Sequence, residues 1–281
     1  MSDAVYIAGV GMTPFTRHLE RSLEDLAMSA LRDSLKDSGC DLASVGAIIY
    51  SGTTQGPLHG QFLIPGQTVL ARAGVAGIPV FNVENACASA SSAFHLAVQL
   101  VRAGAHDVVL ALGAEKMNIN DREKELAFFE AGWDVSRAEE NLQAFAGLGR
   151  NVAIPAGSES TKPFSRFMGI YAAFGRAQME KYGLTQRQLA CVAAKNHGHS
   201  VHNPLSQFRR PFTVEEILAA PPIQYPLTLP MCAPISDGAA AAVVCSDAGF
   251  RRLGLGRTRA IRILATVVNG PAINPEYALE K

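Results

Sequence analysis

A cysteine stands between an apolar segment and a run of very small residues, in the stretch VENACASASSA at positions 83–93. Residues 79–83 have the composition of a buried strand and residues 88–102 that of a helix, so we expect Cys87 at the junction between them. The free N–H groups and the dipole of a helix N-terminus stabilise a thiolate, and the same groups stabilise an oxyanion on a bound carbonyl. Cys87 is therefore the candidate nucleophile for covalent acyl transfer.

The alternative is that Cys87 is a small buried packing residue, which is the commonest role of a free cysteine. The four other cysteines give no stronger candidate. Cys191 is expected in an amphipathic helix and Cys245 at the end of an alanine-rich strand, so both are predicted to lie in the core. Cys40 follows a helix stop and is expected at the surface or in packing, whereas Cys232 lies in a proline-rich loop and stays undecided.

Three histidines, His197, His199 and His202, form the pattern H-x-H-x-x-H. Helical side chains two positions apart point to different faces, so the three converge on a metal only if the segment is a loop. We predict a polar loop that packs and caps, and no metal site. His95 lies about two helical turns after Cys87 and is predicted to be a packing histidine.

The elements that must position Cys87 follow an alternating pattern through the first 117 residues. Short apolar segments predict strands, and helical spacing predicts helices between them, one of which begins at the S-x-x-[DE] signal of Ser22. The strands are expected at residues 5–9, 47–50, 79–83 and 107–113, with a glycine-rich turn at residues 51–61. This alternation predicts a mostly parallel sheet with helices on both faces.

From about residue 118 the alternating pattern breaks. Helices are predicted next, at residues 171–182 and after the capping signals of Thr185 and Thr213. Apolar runs at residues 238–245 and 260–268 then predict two further strands. A strand pattern, a long excursion and a return to strands indicate one α/β domain with an insertion.

The end of the sequence carries a helix signal of its own. Asn274, Pro275 and Glu276 supply a cap, a proline at the first helical position and an acid in the first turn. The sequence ends at Lys281, after about two helical turns. We expect from this pattern that more chain follows in the natural protein, or that a partner completes the helix.

The composition limits the class of protein. Of the 281 residues, 48% are hydrophobic and 18% are charged, which is typical of a well-packed globular protein. The net charge is zero and no basic stripe with aromatic residues occurs, so nucleic acid is not an expected partner. An odd number of cysteines, no leader peptide and no apolar run near ~20 residues predict a cytoplasmic protein that does not enter a membrane.

Four segments in order resemble the thiolase superfamily. They are VENACASASSAFHLAVQLVRAGAHDVVLALGAEKMN at residues 83–118, FMGIYA at 167–172, KNHGHSVHNPLSQFR at 195–209 and MCAPISDGAAAAVV at 231–244. The match extends over essentially the whole chain. The chain resembles the N-terminal two-thirds of a sterol-carrier-protein-x-type thiolase or acetyl-CoA acetyltransferase.

This resemblance implies the thiolase-like α/β fold, in which two similar halves stack as five layers and a loop domain is inserted in the first half. It divides the chain into an N-terminal α/β domain, the loop domain, a return to the N-terminal domain and the truncated start of the C-terminal domain, at residues 1–117, 118–230, 231–258 and 259–281. Thiolases are usually dimers or tetramers, so the resemblance also implies a homo-oligomer.

The resemblance further implies an activity, the transfer of an acyl group between coenzyme A and a carbon nucleophile by 3-ketoacyl thiolysis or condensation. Cys87 would form the acyl-enzyme, and Phe167 and Met168 would lie beside the pantetheine arm of the substrate. A core position for Met168 stays the alternative. The acyl-coenzyme A thioester is then the substrate, and, because no glycine-rich phosphate fingerprint occurs, we expect no bound nucleotide cofactor.

The chain departs from the family in its missing C-terminal motifs. The H-D-C-F or N-E-A-F and G-H-P-x-G-A-T-G segments do not occur, and the resemblance places the histidine that activates the nucleophile in that half. A single half is also expected to expose an apolar face. Three hypotheses follow: a thiolase with its second half missing from this sequence, a thiolase-like aldolase acting on a sterol side chain beside an OB-fold partner protein, or a catalytically idle coenzyme A-binding subunit. Cys87 favours the thiolase, because aldol cleavage needs no acyl-accepting thiol.

Overall fold

The computed structural model describes residues 4–72, 74–132, 134–254 and 259–270 of the chain. The chain folds into two compact units. The first unit runs up to Ile119 and resumes from Ser236 to Gly270, and the second unit is Asn120–Ile235. The predicted helix start at Asn274 lies outside the described residues, and the predicted division into four segments stays a prediction.

The strands, in chain order, are β1 (Val5–Met12), β2 (Ala47–Ser51), β3 (Val80–Val83), β4 (Val108–Glu115), β5 (Pro222–Gln224), β6 (Leu227–Thr228), β7 (Gly238–Ser246) and β8 (Ile261–Arg262). The helices are α1 (Leu23–Ser38), α2 (Gln55–His59), α3 (Pro65–Ala71), α4 (Ser89–Arg102), α5 (Arg122–Phe128), α6 (Ala138–Ala146), α7 (Arg166–Tyr182), α8 (Gln186–Ser200), α9 (Val214–Leu218) and α10 (Asp247–Arg252). Most of the predicted strands and helices are confirmed, with shifted ends.

The first unit is built on a six-stranded sheet in the order β3-β2-β4-β7-β1-β8. The pairings of β2 with β3 and with β4 are parallel, whereas the other three pairings of this sheet are antiparallel. The prediction of a mostly parallel sheet is therefore wrong. Strands β1 to β4 do share one direction, as their alternation with helices predicts, but β7 returns from the excursion and enters between β4 and β1 in the opposite direction.

Helices cover both faces of this sheet, as predicted. On one face α1 and α3 pack against the strands through apolar side chains such as Leu26, Leu31 and Leu70. On the other face α4 packs through small residues, including Ala93 and Ala97. Alternate strand residues point to opposite faces, so both layers of core are filled from the same strands.

The second unit consists of helices and one two-stranded antiparallel sheet of β5 and β6. The capping boxes predicted from the sequence are confirmed at Thr185 with Gln188 and at Thr213 with Glu216. Helix α7 begins five residues before its predicted start, because Ser165 in an extended conformation precedes its first turn. Within the described ranges, none of the helices has the length and apolar composition that a bilayer crossing requires.

Two further expectations about secondary structure are wrong. The apolar run 260–268 forms a strand only at Ile261–Arg262, which pairs with Tyr6 and Ile7 of β1, and Leu264 beyond it is 83% exposed. A strand needs a neighbouring strand for its hydrogen bonds, and β1 pairs with β8 only at these two residues. The expected turn at residues 51–61 contains α2, which is too short to show a helical period in the sequence.

Candidate active site

Cys87 lies on a short 3-10 turn, Ala86–Ala88, between the end of β3 and the first residue of α4. The strand-to-helix junction expected from the sequence is therefore present. Ala86 has a φ of +45°, which is the left-handed region that residues with a Cβ avoid at a cost of about 1–2 kcal/mol. The surrounding contacts must hold this turn against its backbone strain.

Side-chain hydrogen bonds fix the turn from both ends. The Asn85 N–H donates to Ser89 Oγ at 2.8 Å, and Ser89 Oγ donates to the Ala86 carbonyl oxygen at 2.7 Å. The Ala86 N–H donates to Glu84 Oε1 at 2.6 Å, and Asn85 Nδ2 donates to Ser92 Oγ at 2.9 Å. The serines in the small-residue run thus tie the start of α4 back to the turn that carries Cys87.

Cys87 is solvent-exposed, so it does not fill the role of a buried packing residue. The strand that leads to it is also less buried than expected. β3 is an edge strand of the sheet, and Phe81 within it is 50% exposed. The expectation of a buried strand before Cys87 is wrong, because β3 pairs on one side only, with β2.

The start of α4 approaches the sheet closely at Gly113 of β4. A Cβ placed on Gly113 would lie 3.4 Å from the Ala90 Cβ and 3.0 Å from Ser51 Oγ. Ala90 is three residues after Cys87, so the glycine and the alanine together seat the nucleophile turn against the central strands. The small side chains noted in the sequence therefore have a packing role.

The carboxyl ends of β2, β3 and β4 lie at the same edge of the sheet, because the three strands are parallel. Cys87 follows β3 at this edge, and Glu115 ends β4 there. The Glu115 carboxylate accepts hydrogen bonds from the N–H and hydroxyl groups of both Thr53 and Thr54, at 2.6–3.0 Å. Open α/β sheets place their ligand sites outside this edge.

The sequence patterns did not identify Glu115 or Asp237, which both lie at the carboxyl end of β4. Asp237 is fully buried beside β7, and Lys116 Nζ donates to its Oδ2 at 2.7 Å. The signal that would have found both residues is a charged side chain directly at the end of an apolar strand, in GAEK and in SDGAAAA. Buried charges are rare unless they are paired.

Phe167 and Met168 lie in the first turn of α7, in the second unit, and both are half-buried. The ring centroid of Phe167 lies 6.1 Å from that of Phe129 and 6.4 Å from that of Tyr171. The row continues through further aromatic rings, Phe128, Phe174 and Phe145. The half-burial of Met168 leaves its assignment as a pantetheine contact a prediction.

The other cysteines differ from Cys87 in burial. Cys40 and Cys245 are buried, and burial raises the pKa of the Cys40 thiol and raises that of Cys245 to about 12, which keeps both thiols protonated at neutral pH. Cys232 is half-buried, and burial also raises its pKa. Cys191 is exposed, so its predicted core position is wrong, because α8 packs through Ala190 instead.

His197 and His199 lie on α8, so the predicted loop is wrong for them; α8 continues through Gly198 to Ser200. The His197 Nε2 is 3.0 Å from the Pro230 carbonyl oxygen, and its ring lies 4.7 Å from that of Phe212. Among the described residues, no group of three or more His, Cys, Asp or Glu side chains is placed to hold a metal ion. His95 on α4 is half-buried with Nδ1 3.3 Å from Thr266 Oγ1, which fits a packing role.

Solved structures first define the class to which this fold belongs. The acetyl-CoA acetyltransferase from Syntrophomonas wolfei aligns with a TM-score of 0.61 at 18% identity, over 91% of this chain and 67% of that chain. The structure titled "Ltp2-ChsH2(DUF35) aldolase" aligns with a TM-score of 0.61 at 24% identity, over 88% of this chain and 57% of that chain. At these identities the alignments show a shared fold, the thiolase-like α/β fold.

Sequence relatives then give the family. The family described as "Thiolase, N-terminal domain" matches residues 5–219. "Sterol carrier protein 2" of Bos taurus is 31% identical over 279 residues, covering 94% of this chain and 45% of the relative. "Benzoylsuccinyl-CoA thiolase subunit BbsB" of Thauera aromatica is 33% identical over 273 residues, covering 96% of this chain and 62% of the relative. The chain therefore belongs to the thiolase family, and it spans about half the length of the curated relatives it matches.

Proposed function

We propose that this chain carries the nucleophile of a thiolase-type acyltransferase, which moves an acyl group between coenzyme A and a carbon nucleophile. One observation carries the proposal. Cys87 is exposed on a strained turn at the N-terminus of α4, at the carboxyl edge of the parallel strands, in a chain of the thiolase family. The buried thiols of Cys40 and Cys245, whose pKa values burial raises, are protonated at neutral pH and do not compete with it.

In the thiolysis direction the Cys87 thiolate attacks the ketone carbon of a 3-ketoacyl thioester. The electrons of the bond between the second and third acyl carbons pass to the second carbon, which takes a proton and leaves as acetyl-coenzyme A. The thiol of a second coenzyme A then attacks the acyl-cysteine, and its proton returns to Cys87 Sγ. The positive end of the α4 dipole favours the negative charge that develops beside Cys87 in both steps.

The proposal needs a base that accepts the Cys87 proton. The resemblance to thiolases assigns that base to the C-terminal half, and the Bos taurus relative, of which this chain covers 45%, has the length for such a half. His95 does not replace it, because it lies two turns along α4 and faces Thr266. We therefore propose that the active protein is longer than this chain or acquires the base from a partner.

The substrate proposal is an acyl-coenzyme A thioester, without a further bound cofactor. Phe167 and Met168 would contact the pantetheine arm, and the aromatic row around Phe167, in which Tyr171 is exposed, supports an apolar contact there. A homo-oligomer, by the resemblance, and a location in the cytoplasm, by the free cysteines that fit a reducing compartment, complete the proposal.

An intact-protein mass spectrum after mixing with acetoacetyl-coenzyme A tests the proposal, and it uses the full-length protein or the complex that supplies the base. We expect an acetyl adduct on the wild-type chain and on Cys191→Ala, and none on Cys87→Ala. Cys191 is the matched control because it is also exposed. An adduct that persists in Cys87→Ala would refute the assignment of the nucleophile.

A second candidate is a thiolase-like aldolase that works with an OB-fold partner protein on a sterol side-chain thioester. The alignment with the Ltp2-ChsH2(DUF35) aldolase structure favours it. Carbon–carbon cleavage that survives Cys87→Ala, and that depends on an added OB-fold protein, would select this candidate. A coenzyme A-binding subunit without activity, the third candidate, would bind acyl thioesters and form no adduct in either variant.

A further inference from the structure

The turn that carries Cys87 is not held by burial. Residues 84–88 are all exposed, and Ala86 among them has a φ of +45°. A residue with a Cβ occupies this left-handed region less often by a factor of about ten, so the turn needs contacts that keep Ala86 there. In an exposed turn those contacts are hydrogen bonds to the backbone.

The peptide group between Asn85 and Ala86 is hydrogen-bonded at both of its ends. Its oxygen, the Asn85 carbonyl oxygen, accepts from the Ala88 N–H at 2.9 Å, and this bond closes the turn around Cys87. Its N–H, that of Ala86, donates to Glu84 Oε1 at 2.6 Å. The Glu84 side chain therefore reaches past Asn85 and holds this peptide group.

A flip of the same peptide group would relieve the strain at Ala86. A flip changes ψ of Asn85 and φ of Ala86 by opposite amounts and moves the Cα atoms little, so φ of Ala86 could return to the negative region. Asn85 adds to this tendency, because its φ of −154° and ψ of 49° belong to neither a helix nor a strand.

The flip would open the turn around Cys87. It would point the Ala86 N–H away from Glu84 and the Asn85 oxygen away from the Ala88 N–H, so both hydrogen bonds would be lost. A carboxylate is the strongest side-chain acceptor against such a flip, because its hydrogen bonds are roughly twice as strong as those between neutral groups. Glu84 is exposed, so its charge stays hydrated in this position.

We propose that Glu84 is a positioning residue of the nucleophile, which locks the peptide group between Asn85 and Ala86 against a flip and keeps the turn around Cys87 closed. This inference rests on the proposed function, because it gives Glu84 a role in the acylation of Cys87. The hydrogen bond of Glu84 goes to the backbone, so Glu84 acts through the turn and is not the base that accepts the Cys87 proton.

Two substitutions of Glu84 separate its hydrogen bond from its charge. Glu84→Ala removes the acceptor. In Glu84→Gln the amide oxygen still accepts from the Ala86 N–H, but the side chain cannot take a proton from Cys87. Asp134→Ala is the matched control, because Asp134 in the second unit is also an exposed acid that accepts from the N–H two residues on, that of Ser136, at 3.0 Å.

Two measurements follow the lock. The rate of acetyl adduct formation with acetoacetyl-coenzyme A is measured on the full-length protein or on the complex that supplies the base. It should fall about tenfold in Glu84→Ala and stay within about threefold of the wild type in Glu84→Gln. The amide of Ala88 should exchange hydrogen about tenfold faster in Glu84→Ala and not in Glu84→Gln. Asp134→Ala should change neither quantity.

The strain at Ala86 gives an independent test. Glycine adopts a φ of +45° without strain, so Ala86→Gly removes the tendency of the peptide group to flip. In the Ala86→Gly background, Glu84→Ala should therefore slow adduct formation by less than about threefold. An equal loss in both backgrounds would overturn the lock, because Glu84 would then act independently of the strain at Ala86.

The outcomes separate this inference from the proposed function. A wild-type protein that forms no adduct refutes the proposed function, and the exchange of the Ala88 amide then decides the lock by itself. Unchanged exchange in Glu84→Ala overturns the lock, and so does an equal effect of Asp134→Ala. Adduct formation in Glu84→Gln as slow as in Glu84→Ala also overturns it, because the charge or a proton transfer would then be what acylation needs.

If Glu84→Ala does not fold, Glu84→Met replaces it. Methionine keeps the length of the side chain and has no oxygen acceptor, so the same results are expected. A rate of adduct formation and an exchange of the Ala88 amide that both equal those of the wild type would overturn the lock.

Discussion

Two exposed cysteines, Cys87 in the first unit and Cys191 in the second, have opposite local structures. Cys87 lies on a turn with a strained residue beside it, at the N-terminus of a helix, and serine and asparagine side chains hold the turn. Cys191 lies inside α8, where the backbone N–H groups are used within the helix. Exposure alone therefore does not make a nucleophile; a strained turn that side chains hold at a helix N-terminus distinguishes Cys87.

Removal of each thiol gives the largest expected difference. Cys87→Ala should lower kcat for 3-ketoacyl thiolysis by at least about 10⁴-fold, because the acyl-enzyme no longer forms. Cys191→Ala should stay within about twofold of the wild type. A coupled assay of acetyl-coenzyme A release measures both, and a similar loss in the two variants would break the comparison.

Alkylation separates the exposed pair from the buried thiols. Iodoacetamide at about pH 8 should modify Cys87 and Cys191 at least about 100-fold faster than Cys40 and Cys245, whose burial raises their pKa values. Peptide mapping gives the rates, and the chain unfolded in urea is the control in which all sites react alike. Equal labelling of Cys245 in the native chain would contradict this burial.

The raised pKa of Cys245 also predicts a pH dependence of stability. The unfolded thiol ionises near pH 9.0 and the folded thiol near pH 12, so the stabilising contribution is complete below pH 9 and is lost as the pH rises towards 12. Urea unfolding should show the free energy of unfolding falling over this range, with a shallower fall in Cys245→Val. If the free energy of unfolding falls equally with pH in the wild type and in Cys245→Val, the ionisation of Cys245 does not cause the fall.

Alanine substitutions at two serines test whether the hydrogen bonds of the Cys87 turn affect the rate of acylation as well as the stability of the fold. Ser89 Oγ bonds two backbone groups at the Cys87 turn, and Ser200 Oγ donates to the His197 and Phe208 carbonyl oxygens at the end of α8. Each change to alanine should cost about 1–2 kcal/mol in the free energy of unfolding. Only Ser89→Ala should also slow acylation, by about tenfold, because the thiol loses its fixed position.

The measurements are urea unfolding and the rate of adduct formation with acetoacetyl-coenzyme A. Ser200→Ala controls for the loss of stability. If both variants acylate at the wild-type rate, the hydrogen bonds around Ser89 only stabilise the fold.

The smallest expected effect is a pair of changes in the free energy of unfolding that have opposite signs. Ala86→Gly should stabilise the chain by up to about 1 kcal/mol, because glycine adopts a φ of +45° without strain. The same change at Ala190, which is buried in α8, should destabilise it by about 1–2 kcal/mol. Thermal unfolding reports both, and a destabilised Ala86→Gly would show that the turn is not strained.

The sequence predicts the positions of the strands and helices in the first unit, because apolar segments and capping residues carry local signals. Ser22, Thr185 and Thr213 all cap helices as expected. It does not predict the relative directions of the strands, since β7 is inserted between β4 and β1 by contacts that are distant in sequence. The prediction for residues 260–268 is wrong for the same reason, because an apolar run shows no partner strand.

The candidate site divides in the same way. The position of Cys87 between strand and helix follows from local sequence, whereas its exposure depends on β3 being an edge strand. The prediction for Cys191 is wrong because its amphipathic helix packs through Ala190, and the sequence pattern does not say which face is covered. Asp237 needs partners more than one hundred residues away, at Lys116 and His18, which no local pattern reveals.

Acid quenching followed by peptide mapping of the wild-type protein, in its full-length form or with the partner that supplies the base and mixed with acetoacetyl-coenzyme A, tests the central claim most directly. The structure predicts an acetyl group on the peptide that contains Cys87, and none on the peptide that contains Cys191. An acetyl group on Cys191, or equal labelling of both, would contradict the claim that the strained turn before α4 makes Cys87 the nucleophile.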